Sequence, residues 1–391
     1  MKTKARILAA LSALTLFQCC TQLFTVSAAV PSVTAEVFQE NVSADEQEAA
    51  AVIKEAIMNR TENFSVVTPK NGFTKEEIGG HLIYLACEET GKGNEGDYLR
   101  YSIKSYLCGI RTTESEYMIN FTIEYGTTAE EEAALTEKIS EINDYLALDT
   151  LTDYEKIRTI YKYAVSNIRY SENIKDPYAY TAYSAVFNGH AVCQGITQLL
   201  YRLYNDAGIS CRIIAGLSRD LNIEANNGNH VWLIVKLDDK YYLLDPTWDT
   251  RLGGQYFRYF MKGTGDFDSS FPSTSHIAYN DNGLAFPDYN SQEFIDRYPI
   301  SLSAYSEPVY SLGDIDGDNR VTSLDASVIL AEYARISSHK FSSFSASQSK
   351  YADVNRDNII DSVDASIVLS YYAAVSTNSY NSTLASYIST H

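Results

Sequence analysis

The chain has 391 residues, enough for two or three domains, with 45% hydrophobic and 21% charged residues. These values exclude a wholly disordered, collagenous or polytopic membrane protein. Lysine and arginine number 31 against 50 aspartates and glutamates, a formal charge of −19, and such a chain repels a phosphate backbone, so nucleic acid is not an expected partner.

Residues 1–29 read as a secretory signal peptide. Lys2, Lys4 and Arg6 precede an apolar stretch at 7–17, and Ser27, Ala28 and Ala29 supply the small residues of a cleavage site. Gln18 and Gln22 cut the apolar run short of the roughly 20 residues a span needs, so no membrane span is expected after cleavage and the protein should be extracellular. Cleavage leaves Cys87, Cys108, Cys193 and Cys211, too few to scaffold a chain of this size. Cys87 and Cys108 could pair outside the cell, which the sequence leaves open.

Residues 30–135 read as a small α+β domain. Ser43 and Glu46 have capping-box spacing, and Ala49, Val52, Ile53, Ala56 and Ile57 lie on one face of a helix reaching about Arg60. Leu99, Tyr101, Ile103, Ser105 and Leu107 alternate as a half-buried strand, as do Tyr117, Ile119, Phe121, Ile123 and Tyr125.

Thr152 and Glu155 form another capping box and open a second domain over 136–285, beginning with a helix whose stripe is Ile157, Ile160, Tyr161, Ala164, Val165 and Ile168. Further on, Cys193 stands at the start of a helix marked by Ile196, Leu199, Leu200 and Leu203 and ended by Ala207-Gly208. Unpaired amides and the helix dipole there favour thiolate over thiol. The run 229–237 is a strand, Asp238-Asp239 a turn and 240–244 the return strand. With a two-residue loop, position 237 faces 240 and Trp232 faces Asp245. His230 and Asp245 then become diagonal neighbours on one face, about 7 to 8 Å apart at Cα. An imidazole held by that carboxylate can present its other nitrogen to Cys193 as a base. His190, three residues before the cysteine, is the rival base. The last strands of this domain are expected in the aromatic run 256–260, and 286–309 reads as a linker.

Thr181-Ala182, residues 189–195, Ala207-Gly208-Ile209, Cys211-Arg212, Asn229-His230-Val231-Trp232 and Asp245-Pro246-Thr247-Trp248-Asp249 together resemble the core of the transglutaminase-like superfamily. The resemblance implies a papain-like α+β fold with Cys193 as nucleophile, His230 as base and Asp245 as orienting acid, and a thioester acyl-enzyme formed from an amide of a protein or peptide. It leaves the acyl acceptor open. Water makes a peptidase or amidase, the favoured reading, whereas a lysine amine makes a cross-linking transglutaminase. A non-catalytic subunit that binds a partner through the same fold is the remaining alternative.

From Asp314 the composition turns to aspartate-rich loops. Asp314, Asp316, Asp318, Thr322 and Asp325 occupy positions 1, 3, 5, 9 and 12 of a calcium loop, with Arg320 at the backbone-carbonyl position 7. Thirty-nine residues on, Asp353, Asn355, Asp357, Ile359, Asp361 and Asp364 repeat the pattern, and 314–334 matches 353–373 at ten of 21 positions. Asn319 and Asn358 stand at position 6, where a left-handed conformation is needed and asparagine is the best substitute for glycine. A helix leaves each loop and none enters. These features over 310–376 resemble a type I dockerin, a small all-α module, followed by a tail at 377–391. The resemblance implies two Ca2+ ions, a cohesin module of a scaffoldin as partner with Ser323, Leu324, Ser362 and Val363 as contacts, and attachment to a cellulosome-like, polysaccharide-degrading complex.

Overall fold

The computed structural model describes residues 40–42, 45–70, 72–220, 228–251, 257–269, 274–279 and 287–390; the signal peptide reading lies outside them. The described residues form two compact units, one of those up to 139 and within 161–304, the other of those within 140–160 and from 305 onward. The elements are mixed α and β in the first unit and helical in the second.

The first unit begins with strand β1 (Glu40–Val42), helix α1 (Glu46–Met58), strand β2 (Asn63–Pro69), helices α2 (Ile78–Ala86) and α3 (Asp97–Ser102), and the strands β3 (Ile103–Thr112) and β4 (Glu116–Tyr125). The four strands form a sheet of order β1-β2-β4-β3, antiparallel apart from the β1–β2 pair. Helices α1 and α2 cover it, burying Ile53, Ile57, Ile78 and Leu82 against Ile119 and Phe121. Each such side chain removed from water contributes about 1.5–3 kcal/mol.

Three details differ from the sequence pattern. Ser43 lies outside the described residues, and α1 is capped by Asp45, whose carboxylate accepts from the Glu48 amide. Leu99 and Tyr101 are helical, because Asp97 is drawn inward by a buried cation described below and the chain turns there. Leu107 is 43% exposed: a bulge between Ile103 and Ser105 shifts the register, so Tyr106 turns inward in its place.

Helices α4 (Ala129–Leu146) and α5 (Asp153–Asn167) follow, the latter opened by the expected Thr152–Glu155 box. A short parallel pair, β5 (Arg169–Tyr170) and β6 (His190–Ala191), flanks helix α6 (Ala182–Phe187) and leads into α7 (Cys193–Asp206). Every residue of α7 from Gly195 to Asn205 is buried, so it is a central helix rather than a surface one. Gly195 permits this, because a Cβ there would lie 2.6 Å from the Thr181 carbonyl oxygen and 2.9 Å from that of Ala179. The helix packs on β7 (Cys211–Asp220) and β8 (Gly228–Leu237). With β9 (Lys240–Leu244) and β10 (Thr274–Ala278) these make an antiparallel sheet of order β10-β7-β8-β9, helix α8 (Pro246–Arg251) following β9 directly.

The aromatic run at 256–260 is not the last strand. Tyr256 lies outside the described residues and 257–260 form a turn, because the amides of Arg258 and Tyr259 donate to Asp249 and the Tyr259 carbonyl accepts from Asp245. The closing strand is β10. The stretch expected as linker carries helix α9 (Gln292–Arg297) and buries Tyr289, Phe294 and Tyr298.

The chain holds 31 tyrosines, and the buried ones have a physical role. Tyr161 and Tyr201 are among the largest fully buried side chains, and their hydroxyls donate to Asp249 at 2.6 Å and Glu89 at 2.6 Å. Tyrosine fills the core while satisfying carboxylates buried with it.

The cation behind α3 is Arg212. Its Nε and Nη2 donate to Asp97 at 2.7 and 3.1 Å, the Ile213 amide donates to the same carboxylate, and the guanidinium lies 4.7 Å from the Tyr298 ring centre. Both charges are buried.

In the second unit, α10 (Ser323–Ser337) packs on α12 (Ser362–Ser376), with α11 (Ala346–Ala352) between them in sequence and α13 (Leu384–Thr390) at the end. Ile315, Ile329, Phe344, Val368 and Leu384 share one core. Two expectations change here. A short helix, α11, does enter the second loop, stabilised by a Ser345–Gln348 capping box, and the tail is structured because Leu384 fills that core. Residues 140–160 belong to this unit: Arg158 donates to the Ser343 carbonyl and the Gln348 side chain, and Arg335 donates to the Ala147 carbonyl.

Replacing Asp97 with alanine should destabilise the protein by about 3–5 kcal/mol, because it leaves Arg212 buried without its main partner; urea unfolding of the variant beside the parent measures it.

Candidate active site

Helix α7 places Cys193 at its first position, half-buried. The β8–β9 hairpin has the register expected from sequence, with Leu237 opposite Lys240 and Leu233 opposite Leu244. His230 and Asp245 consequently meet: His230 Nε2 lies 2.8 Å from Asp245 Oδ2, both side chains buried. The Cys193 sulfur is near enough to the same imidazole to favour its charged form, and Nδ1 is the nitrogen that the Asp245 contact leaves free. His190 is exposed and takes no part in this cluster.

Asp245 is held from all sides. Its Oδ1 accepts the Thr247 and Trp248 amides at 2.9 and 3.2 Å, at the start of α8, and its own amide donates to the Tyr259 carbonyl. Burial would raise its carboxyl, but His230 and His276 outweigh that and hold it well below the usual range. Burial would depress the His230 imidazole, but the Asp245 carboxylate and the Cys193 sulfur push it up to about 9. Trp232 and Trp248 stack alongside the ring at 6.1 and 5.9 Å. The remaining thiols differ in kind. Cys87 and Cys108 are free rather than bridged, and burial pushes them up to about 11 and about 12.

Sequence reasoning missed two further groups. Asp249 accepts from Tyr161 and from the Arg258 and Tyr259 amides, and burial raises it to about 7. His276, on β10, puts Nε2 3.1 Å from Asp245 Oδ2 and Nδ1 2.7 Å from Asp268 Oδ1. Asp249 stands inside the Asp-Pro-Thr-Trp-Asp motif and could have been suspected; His276 sits where no strand was expected. A cavity of about 300 Å³ lined by Tyr101, Ile103, Tyr180, Thr181, Gln194 and Gln198 reaches the residue that follows Cys193.

In the second unit the two acidic loops are built alike. Asn319 and Asn358 both have φ of 67°, the left-handed conformation expected of them. Asp325 accepts the Ile315, Asp316 and Thr322 amides, and Asp364 accepts those of Val354, Asn355 and Asp361. Thr322 and Asp361 cap α10 and α12. Carboxylate oxygens of Asp314, Asp316 and Asp325 lie within 4.8 Å of one another, Asp314 Oδ2 is buried with no hydrogen-bond partner, and burial together with neighbouring carboxylates raises Asp314 and Asp316. An oxygen cluster with an orphaned lone pair fits a hard divalent cation. Leu324 and Val363, at equivalent points of α10 and α12, are 58% and 49% exposed.

Comparison with known proteins finds two families along the chain. Residues 140–246 match the transglutaminase-like superfamily and residues 312–371 the type I dockerin domain, so the chain carries a domain of each kind. A type I dockerin points to a cellulosome-type extracellular complex, and among the described residues no helix is long and apolar enough to cross a membrane. The human kyphoscoliosis peptidase is 24% identical over 136 residues, 33% of this chain and 20% of the relative; the mouse protein is 24% identical over 122 residues, 29% and 18%. The chain thus spans about a fifth of the length of these relatives. Among solved structures, one described as a TGase has a TM-score of 0.27 at 12% identity, covering 53% of this chain and 59% of that one. A candidate cysteine protease from Cytophaga hutchinsonii has a TM-score of 0.26 at 13% identity, covering 43% and 65%.

The raised His230 carries a stability signature. Its ordinary value is 6.5, so the stabilisation it gains from Asp245 and Cys193 is fully present below that pH and is lost as pH rises through about 9. Thermal melts of the parent and His230→Gln should therefore converge between these values, apart from a constant offset.

Proposed function

We propose that the protein is a secreted cysteine acyl-transfer enzyme, acting as a peptidase or amidase, that docks through a calcium-folded dockerin onto a cohesin module of a scaffoldin. The observation that carries the catalytic reading is the 2.8 Å contact of His230 Nε2 with Asp245, which leaves the other ring nitrogen to the Cys193 sulfur.

In this reading His230 takes the Cys193 proton and the sulfur attacks the amide carbonyl carbon. As the tetrahedral adduct collapses, the C–N bond breaks, His230 returns the proton to the leaving amine and a thioester remains. Water, deprotonated by His230, then cleaves the thioester and frees the acid. Asp245 keeps the imidazole in the tautomer and orientation both steps need. An amine in place of water would make a cross-linked amide, which is the transglutaminase alternative. Carbonyl selection falls to the cavity beside Gln194.

The dockerin reading rests on the duplicated loops. Asp314, Asp316, Asp318, Thr322 and Asp325, with the Arg320 carbonyl, would hold one Ca2+, and Asp353, Asn355, Asp357, Asp361 and Asp364, with the Ile359 carbonyl, a second. The ions would neutralise carboxylates that otherwise repel one another and so stabilise the starts of α10 and α12. Ser323, Leu324, Ser362 and Val363 would meet the cohesin.

Cys193→Ser should abolish both iodoacetamide labelling at this position and amide turnover; turnover surviving in this variant would falsify the nucleophile assignment. Mass spectrometry of the parent trapped on a peptide substrate, with water and a primary amine in competition, should show a thioester adduct resolved chiefly by water, and amide products from the amine would favour the cross-linking alternative. Calcium added to the chelator-treated protein should raise helical ellipticity and thermal stability, and Asp314→Ala with Asp353→Ala should remove that response.

A further inference from the structure

His276 belongs to neither motif, yet its imidazole touches Asp245 and is almost fully enclosed, its side chain 1% exposed. Its position follows from a glycine. At Gly216 a Cβ would lie 2.2 Å from the Ile277 carbonyl oxygen and 2.9 Å from the Ala278 Cα, so only a residue without a side chain lets β10 close onto β7. That pairing brings His276 opposite Ser218, in the same sheet as His230. Rings of Trp248, Phe267 and Trp232 then surround it at 4.5, 4.4 and 5.1 Å.

Both of its nitrogens face carboxylate oxygens: Nε2 lies 3.1 Å from Asp245 Oδ2 and Nδ1 2.7 Å from Asp268 Oδ1. The other Asp268 oxygen accepts the His276 amide at 2.9 Å, so that carboxylate is aimed at this residue twice. A neutral imidazole has one N–H and one lone pair. In either tautomer a lone pair would point at a carboxylate oxygen in a nearly dry site, which is repulsive, whereas an imidazolium satisfies both contacts. Asp245, Asp268, His230 and the Tyr259 ring, at 6.0 Å, are the titratable groups that face it.

We propose that His276 is a permanently protonated positioning residue: an imidazolium clamped between Asp268 and Asp245 that fixes the Asp245 carboxylate toward His230 and offsets part of its charge. The two carboxylates outweighing burial also raise the His276 imidazole. The proposal rests on the catalytic reading of Cys193, His230 and Asp245, and extends it. With its charge wholly uncompensated, Asp245 would hold the His230 proton more tightly and disfavour the neighbouring thiolate. The added cation, with its ring centre 5.7 Å from that of His230, moves both ionisations to lower pH.

The test is the pH dependence of iodoacetamide labelling at Cys193 in the full-length parent, His276→Gln and Asp268→Asn. Glutamine keeps a donor for Asp245 without the charge; asparagine keeps the imidazole but lets it become neutral. Both variants should shift the whole labelling window upward by about one pH unit. A lower rate without displacement of the window would mean that His276 only packs, and would overturn the proposal, as would a shift in one variant alone. Faster labelling of the parent after chelator treatment would show that a cation rather than a proton joins His230, Asp245 and His276, and would also overturn it. Nitrogen-15 spectra of the histidines in Cys193→Ser separate the two readings, since they need no reactive thiol. His276 should carry two N–H protons at neutral pH; one would end the proposal whatever the fate of the nucleophile.

Discussion

The first unit is organised around one buried anion. Asp245 is fully removed from solvent, and a carboxylate in that position is tolerable only when its lone pairs are filled. The donors come from three places: the first turn of α8, the start of β8 and the middle of β10. Satisfying the charge therefore sets the exit of the hairpin, the angle of the following helix and the closing strand together. His230 is oriented as a by-product of that requirement. The same logic recurs at Asp249, which collects Tyr161 and two backbone amides, and at Asp97 with Arg212. Buried carboxylates with dedicated donors, more than aliphatic packing alone, specify where the elements of this unit meet.

What was legible in the sequence follows from how local each signal is. The stripe Ile196, Leu199, Leu200, Leu203 and the glycine after it define α7 without reference to anything else, and the turn at Asp238-Asp239 fixes a register that carries over to Asp245. A two-residue loop has little freedom, so pairing at its tip propagates along the hairpin. His276 was not legible, because its role depends on β10 crossing a long stretch of chain to reach β7. The Tyr and Phe run at 257–260 has the composition of a strand, and it fails to be one because its amides are claimed by Asp249. Likewise the alternation through Leu99 and Tyr101 is interrupted by a helix whose cause, Arg212, lies far along the chain.

The turns of the duplicated acidic loops were legible because a loop of this kind encodes its geometry in side-chain identity. The asparagines at position 6 take the left-handed conformation that their chemistry allows, and Asp325 and Asp364 draw in corresponding amides. Burial repeats as well, with Leu324 and Val363 both outward. The sequence was less informative about what lies outside the repeat. Helices α11 and α13 contribute Ala352 and Leu384 to the shared core, and neither belongs to the pattern that identified the loops.

The second unit is assembled from parts of the chain that are far apart in synthesis. Arg158 reaches Gln348 across 190 residues, and Arg335 reaches the Ala147 carbonyl across 188. Contacts of such separation close late, since a long loop must be ordered before they form. Residues 140–160 must then wait for the segment beyond residue 304 before the second unit can finish packing. Synthesis through Gln348 thereby becomes a condition for the unit's final packing, and a product ended before that residue would lack it.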